Sequence, residues 1–448
     1  MGVKYAPNLL PKQNNKDMKI NYEKASFKDF ENMEGLGPFE WAAEFDAYVS
    51  DWESRGHWNY RQESTTGCMP ELELKLKDNP NKTFVALVFN DYLGFAQHPK
   101  VKAAAIAGIE KYGVGAAASP AIGGHLTYHR EIEEKIASFF KRESAMLYTT
   151  GYTANSATMQ ALLKKEDLAI MDMSVHASMY EGCQMTNMKT FLHNNMDMLE
   201  RILKETQGKY RTRMVIVDGV YSQPADIVHL DRVVKLAKHY GAYTAMDDAH
   251  GVGVIGKTGR GVIELYNLFK EVDIITGTFS KTFAHLGGYV IAEPKLINFL
   301  KFQSRQHIFS VTATPASACI LKSIDLIDEE PFWREKLWEN INYLKSGLIA
   351  MGFDTGNTQS AIIPVMTGDP ALNAEACKLL MDAGIYTNQI GYPAVPRKNA
   401  RIRMSIMATH TREHMDKVLN AFEWVDNKLQ ITRKYNATAQ KFTDQLIQ

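Results

Sequence analysis

Lys281 closes an apolar run, Asp273-Ile-Ile-Thr-Gly-Thr-Phe-Ser-Lys281, where a solvated ammonium has little reason to sit. Losing water favours the neutral form of an amine, so a lysine there is a candidate nucleophile and Schiff-base former. A second apolar run, Tyr243-Thr-Ala-Met-Asp247-Asp-Ala-His250, ends in a carboxylate and an imidazole. A carboxylate can keep a pyridinium nitrogen protonated, so that the ring draws electrons from a carbanion, and an imidazole can bond a ring oxygen. Thr278 and Ser280 add hydroxyls beside the lysine that suit a phosphate. A short Thr-Phe-Ser-Lys run occurs by chance often enough. Two strand ends carrying complementary groups point instead to pyridoxal 5'-phosphate as the carbonyl partner.

Those ends must be brought side by side, and the spacing of the apolar runs indicates how. Met214–Asp218, Ala242–Asp247 and Asp273–Gly277 read as buried strands, the first two flanking an amphipathic helix from Asp231, a good N-cap, to Tyr240, with Gly241 as its stop. Strand, helix and strand in units of roughly 30 residues imply a parallel sheet with right-handed crossovers. Functional groups then gather at the carboxyl ends of the strands, where Asp218, Asp247 and Ser280 lie.

The expected fold is α/β: a large, mostly parallel sheet domain over residues 81–325 and a smaller C-terminal α+β domain over 326–448. A helical and extended segment over 1–80 precedes them. In that lead-in, Phe39, Trp41, Phe45 and Tyr48 read as the docking face of a helix near Pro38–Trp52. Phe84–Phe89 reads as a strand, as do Ser360–Met366, Ile385–Ile390 and Ile402–Ile406, with helices between them and a last helix through Asn427. The end, Arg433–Gln448, reads as frayed.

Two glycine-bearing stretches are candidate ligand seats. Gly113-Val-Gly-Ala-Ala-Ala-Ser-Pro-Ala-Ile-Gly-Gly124 is neither a Walker loop nor Gly-x-Gly-x-x-Gly, and is weak evidence alone. Thr149-Thr-Gly151-Tyr152-Thr-Ala-Asn155 reads as a turn into a helix, whose first amides bind anions. His176, in Met173-Ser-Val-His176, could stack on an aromatic cofactor. His57, His129, His193, His229 and His239 read as hydrogen-bonded structural residues.

Composition narrows the classes. With 51 basic and 51 acidic residues in 448 the net charge is zero, and no basic stripe with interleaved aromatics argues for nucleic acid. The four cysteines, Cys68, Cys183, Cys319 and Cys377, have no metal-ligand spacing, so neither zinc nor a disulfide framework is expected and a reducing, cytoplasmic compartment fits. Met1–Lys19 is polar and unlike a secretory signal, and no apolar run approaches the ~20 residues that span a bilayer. A soluble chain is expected, with peripheral membrane contact left open for a fatty substrate.

The combination of Asn90-Asp-Tyr92-Leu-Gly94, Asp247-Asp-Ala-His250-Gly-Val-Gly253, Thr278-Phe-Ser-Lys281 with Gly287-Gly-Tyr289, and Arg401-Ile-Arg403-Met-Ser405 with Thr409-His-Thr411 resembles the α-oxoamine synthases. These are fold-type I pyridoxal-phosphate enzymes that join an amino acid to an acyl-CoA with loss of CO2. The likeness runs from about Asn90 to Asn427. It implies that Lys281 carries the cofactor, Asp247 faces the pyridinium nitrogen, His250 lies near the ring oxygen and His176 stacks on the ring. It implies a phosphate held by Thr278, Ser280 and the amides of Gly151 and Tyr152, with Ser222 close by, and with Ser310 and Thr312 reaching a partner subunit's phosphate in a homodimer. Arg403 would bind the substrate carboxylate, with Asn90 and Tyr92 beside it.

Tyr392-Pro-Ala-Val-Pro396 is most similar to the mobile loop of serine palmitoyltransferases, although Gly391 stands where some of those enzymes have arginine. Asp218-Gly-Val-Tyr-Ser222-Gln-Pro-Ala225 departs from the usual Glu-Gly-Val-Tyr-Ser-Met-Asp-Gly, and Asp248 replaces a common Glu. L-serine with a long-chain acyl-CoA is the leading pair. Cysteate is the nearest rival, because Arg397, Lys398 and Arg401 could meet a second acid; glycine C-acetyltransferase and 8-amino-7-oxononanoate synthase are further alternatives. From outside the family stand an aminotransferase or lyase without acyl transfer, and a non-catalytic partner subunit, which commonly lacks the lysine.

Overall fold

The computed structural model describes residues 20–76 and 82–435; the polar Met1–Lys19 stretch and most of the frayed end expected at Arg433–Gln448 lie outside them. Ile431–Tyr435 adds a helical turn rather than fraying.

A seven-stranded sheet forms the centre, in the order Ser144–Tyr148, Gly288–Ala292, Ile274–Thr278, Tyr243–Asp247, Arg213–Asp218, Leu168–Asp172, Asn187–Phe191. Gly288–Ala292 runs against both its neighbours, and the four other pairings are parallel. Every residue of Leu168–Asp172 and Arg213–Asp218 is buried, as expected of parallel strands covered by helices on both faces. One covering helix, Leu230–His239, buries Leu230, Val233, Val234 and Ala237, an i, i+3, i+4, i+7 stripe. Its N-cap is His229 rather than Asp231, which sits in the first turn and acts on the helix dipole instead. Gly241 follows with φ +67°, the left-handed conformation that ends helices.

Two glycines let the helix Gly151–Leu162 press its N-terminus onto the sheet. A Cβ on Gly151 would stand 2.6 Å from Thr278 Cβ, and one on Gly288 2.2 Å from the Thr150 carbonyl oxygen. No side chain fits either gap, so helix start and strand end are held in direct contact.

The remaining strands deliver residues to that junction. Glu71–Leu74, Lys82–Ala86 and Ile385–Tyr386 form one small sheet; Ile362–Gly368, Ala400–Ser405 and Asn388–Ile390 form another. The strand expected over Ile385–Ile390 is therefore split at Thr387. Its first part pairs parallel with Val85 and Ala86 and its second antiparallel with Arg401–Arg403. The strand expected over Phe84–Phe89 stops at Ala86 for a related reason. The Leu87 amide still donates to Tyr386 O (2.9 Å), but its carbonyl accepts from Ser405 N (2.8 Å), and the chain turns toward the second sheet.

In the lead-in, Pro38–Ser54 is helical, and Tyr48 and Trp52 pack with Phe30, Phe45, Trp58 and Ala374. Phe39, expected on that face, is 88% exposed, while Trp41 donates Nε1–H to Met33 O (3.2 Å). Among the described residues no helix is long and apolar enough to cross a membrane, and no group of three or more His, Cys, Asp or Glu is placed to hold a metal.

Candidate active site

Strand register places the acids. Asp218 lies opposite Asp247, and Asp247 opposite Thr276 on the strand leading to Lys281. Lys281 is half-buried and its Nζ lies 2.9 Å from His250 Nε2, whose Nδ1 is 2.6 Å from the Tyr92 hydroxyl. Tyr92 donates to Asn90 Oδ1 (3.3 Å), which also accepts from Ser405 Oγ (2.9 Å) and Arg403 Nη2 (3.3 Å). One continuous path thus joins Lys281, His250, Tyr92, Asn90 and Arg403. The turn behind it is held by Asp91, which accepts from the amides of Phe95 and Ala96, both at 2.9 Å.

Burial pushes the Lys281 amine down to about 8; Asp247 opposes that shift and Arg403 adds to it. Burial likewise holds His250 well below its usual value, so it meets the lysine as a neutral imidazole. Asp218 is raised well above the carboxylate range by burial and then by the neighbouring Asp247.

The two consecutive aspartates diverge. Asp247 accepts from Asn155 Nδ2 (2.6 Å) and from the Ala249 amide (2.9 Å), on the side of the sheet end where His176 lies. Asp248 is fully buried on the other side, where it accepts from Val262 N (2.7 Å) and is crowded by Gly219, Gly251 and Gly261.

Arg403 donates Nε–H to Ser222 O (2.9 Å) and Nη1–H to Ser405 Oγ (3.2 Å), and among the described residues it pairs with no carboxylate. A 6% exposed guanidinium held only by neutral acceptors is prepared for an anion.

The hydroxyls and helix start that the sequence offers to a phosphate lie together. Thr278 Oγ1 and Ser280 Oγ are 2.7 Å apart and abut the start of the twelve-residue helix at Gly151, capped by the Thr150 hydroxyl. Tyr152 projects from that start, its ring 5.8 Å from His176 and edge-on to it, with its hydroxyl bonded to Glu181. Thr312 is buried with an unpartnered hydroxyl, and Ser310 donates to Val311 O; no hydrogen bond among the described residues joins either to the Lys281 cluster.

Asn155 and Ser178 were not singled out from the sequence. Asn155 follows Gly151 by one helical turn, which was the available signal. The histidines read as structural include His129, bonded to Ala313 O (2.7 Å), and His193, between Asp172 and Asp226.

With a half-buried amine, a carboxylate at a neighbouring strand end and hydroxyls at a helix start, these residues fit pyridoxal 5'-phosphate. The chain matches the aminotransferase class I and II family over residues 82–422. It is 41% identical to an 8-amino-7-oxononanoate synthase of Thermoanaerobacter pseudethanolicus over 353 residues, 78% of this chain and 89% of that one. Its fold matches serine palmitoyltransferase with its PLP internal aldimine at TM-score 0.84 and 30% identity, covering 88% of this chain and 100% of the other. The Sphingomonas wittichii serine palmitoyltransferase matches at TM-score 0.82 and 29% identity, covering 87% and 98%.

The chain belongs to the α-oxoamine synthase family. As in that family, the cofactor is pyridoxal 5'-phosphate and the fold is fold-type I. Arg403, 6% exposed, is the arginine bonded into the path from Lys281. The further cations offered to a second acid are engaged elsewhere. Arg397 donates to Lys24 O (2.8 Å) and to both Asp29 oxygens (3.2 and 3.0 Å), and Arg401 to Asn399 O and Gln223 O.

Proposed function

We propose that this enzyme condenses L-serine with a long-chain acyl-CoA, releasing CO2 and CoA and forming a 3-ketosphinganine-type aminoketone. The observation that carries the reaction class is the Lys281 amine, joined through His250, Tyr92 and Asn90 to Arg403, which has no carboxylate partner among the described residues. When bound, pyridoxal 5'-phosphate supplies an electron sink for the bond broken at the amino acid's Cα. The protein supplies the rest. Arg403 fixes the substrate carboxylate, and so decides which Cα bond faces the ring. Lys281 Nζ, neutral above about pH 8, takes the Cα proton. Neutral His250, bonded to Tyr92, holds the lysine and would lie beside the cofactor's ring oxygen. Thr278, Ser280 and the amides of Gly151 and Tyr152 would hold the phosphate, with Ser222 beside them, and His176 would cover the ring.

The likeness to serine palmitoyltransferase structures supports the serine and long-chain pair. A second reading rests on the relatives named 8-amino-7-oxononanoate synthase, which are more similar in sequence. That product name implies an alanine-derived amino end and an acyl group bearing a second carboxylate. CoA release from palmitoyl-CoA and from a dicarboxylic acyl-CoA, each with L-serine, L-alanine, glycine and L-cysteate, separates these readings. The proposed pair requires L-serine with palmitoyl-CoA to have the largest kcat/KM.

We assign the enzyme to a homodimer in the cytoplasm. Val114, Ile122 and Phe309 are 84%, 85% and 81% exposed in the single chain, an unusual cost unless a second copy covers them. Four unpaired cysteines suit a reducing compartment.

Two substitutions test the substrate side. Arg403→Ala is expected to weaken binding of every amino-acid substrate by a common factor, about 2 to 5 kcal/mol for one half of a buried ionic contact, read by spectral titration of the holoenzyme. Neutralising Arg397 and Lys398 together is expected to change kcat/KM for L-serine and L-cysteate equally, by less than about fivefold, since the Arg397–Asp29 pair is half exposed. A selective loss with L-cysteate would reassign the loop to an acidic side chain.

A further inference from the structure

Asn155 is buried, and its Nδ2 carries two hydrogens. One goes to Asp247 Oδ2 at 2.6 Å and the other to Ser178 Oγ at 2.9 Å. The amide cannot be turned over, because a carboxylate oxygen that accepts needs N–H and not C=O. The orphaned Asn155 Oδ1 agrees with this orientation, since it faces no donor.

Ser178 Oγ accepts from Asn155, so its own hydrogen goes to its remaining partner, His176 Nδ1, at 2.7 Å. The Ser178 backbone amide points at the same nitrogen from 3.4 Å. His176 Nδ1 is therefore an acceptor on both counts and cannot carry hydrogen. Burial also holds the His176 imidazole below its usual value, against the pull of Asp247 and together with the push of Lys281. What remains is a neutral ring with its proton on Nε2, the nitrogen that makes no hydrogen bond to the described residues.

We infer that Asn155 and Ser178 are positioning residues that form a one-way hydrogen-bond chain from Asp247 to His176, fixing His176 as the neutral Nε2–H tautomer. The chain couples His176, which the proposed function sets over the cofactor ring, to Asp247, which the family resemblance sets against the pyridinium nitrogen. It makes Asp247 an acceptor and His176 a donor as consequences of a single amide orientation. A ligand over His176 then always meets a donor, never a lone pair, which suits an anionic or carbonyl oxygen. The inference deepens the proposed function and rests on it for its catalytic meaning, while the tautomer belongs to the protein itself.

The test is nitrogen NMR on holoenzyme labelled with 15N only at histidine, the His176 signal being assigned by its loss in His176→Gln. The expected result is an unprotonated Nδ1 and a protonated Nε2. A protonated Nδ1, or an imidazolium, at neutral pH overturns the inference, and beyond the His176→Gln assignment this reading needs only the wild-type protein. Ser178→Ala and Asn155→Leu, checked for native circular dichroism, are expected to lose the single tautomer and to lower kcat on the order of tenfold, the worth of one hydrogen bond, with KM for acyl-CoA unchanged. Retention of a pure Nε2–H tautomer in both variants also overturns it. Borohydride trapping of the cofactor on Lys281 is scored separately: failure to trap would sink the proposed function, whereas trapping beside the wrong tautomer would sink only this inference.

Discussion

Lys281→Ala is expected to abolish turnover and to end covalent attachment of the cofactor. Among the described residues no other amine takes part in the hydrogen-bonded path from the sheet end to Arg403, so none there can replace it. Mass spectrometry after borohydride reduction is expected to find the cofactor on the wild-type chain and on no residue of the variant. The pH dependence has a definite sign. The Lys281 amine is pushed down to about 8, so its charged form is lost as pH rises through that value. Attachment of added cofactor to the apo-protein should therefore be slow below about 8, rise through it and level off above. A profile still rising at the pH of an ordinary lysine would show that the amine is solvated. Full acyl transfer by the alanine variant, without added amine, would end the assignment.

Asp247→Asn is expected to lower kcat by at least about a thousandfold while cofactor remains trapped on Lys281. The carboxylate is what would keep the ring nitrogen protonated, and an amide of the same shape cannot do so. Its replacement also leaves one acceptor oxygen for two donors, Asn155 Nδ2 and the Ala249 amide, so one of them must face the new NH2. Asp248 cannot substitute: its Oδ2 is bound to Val262 N and three glycines close around it. Asp248→Asn should instead cost stability, read as a lower Tm, with kcat within a few-fold of wild type. A near-wild-type rate for Asp247→Asn would contradict the geometry of the site at its centre.

Much of this arrangement was legible because strand ends are legible. Lys281, Asp247 and Asp218 each terminate an apolar run, and in a parallel sheet such residues meet at one edge. Asn90, Tyr92 and Arg403 were found through resemblance, and the structure joins them by hydrogen bonds that no local pattern foretells. Asn155 and Ser178 escaped notice because small polar residues in a helix or turn carry no periodic signal, and their meaning depends on partners far along the chain, such as Asp247. The break at Thr387 was hidden for a similar reason: an apolar stretch does not record that its two halves pair with different sheets. Asp231 has the chemistry of a cap, but the turn of chain before it put His229 in that place. Phe39 fits the apolar stripe of its helix and yet projects outward, since the aromatic cluster is centred farther along, on Tyr48 and Trp52.

The most direct measurement of the central claim is a paired assay with carboxyl-labelled L-serine and palmitoyl-CoA, following labelled CO2 and free CoA together. Condensation at Lys281 predicts equal amounts of both, dependent on each substrate and lost in Lys281→Ala. Formation of a 2-oxo acid with the label retained and no CoA released would contradict it, and would mark the chain as an aminotransferase built on the same fold.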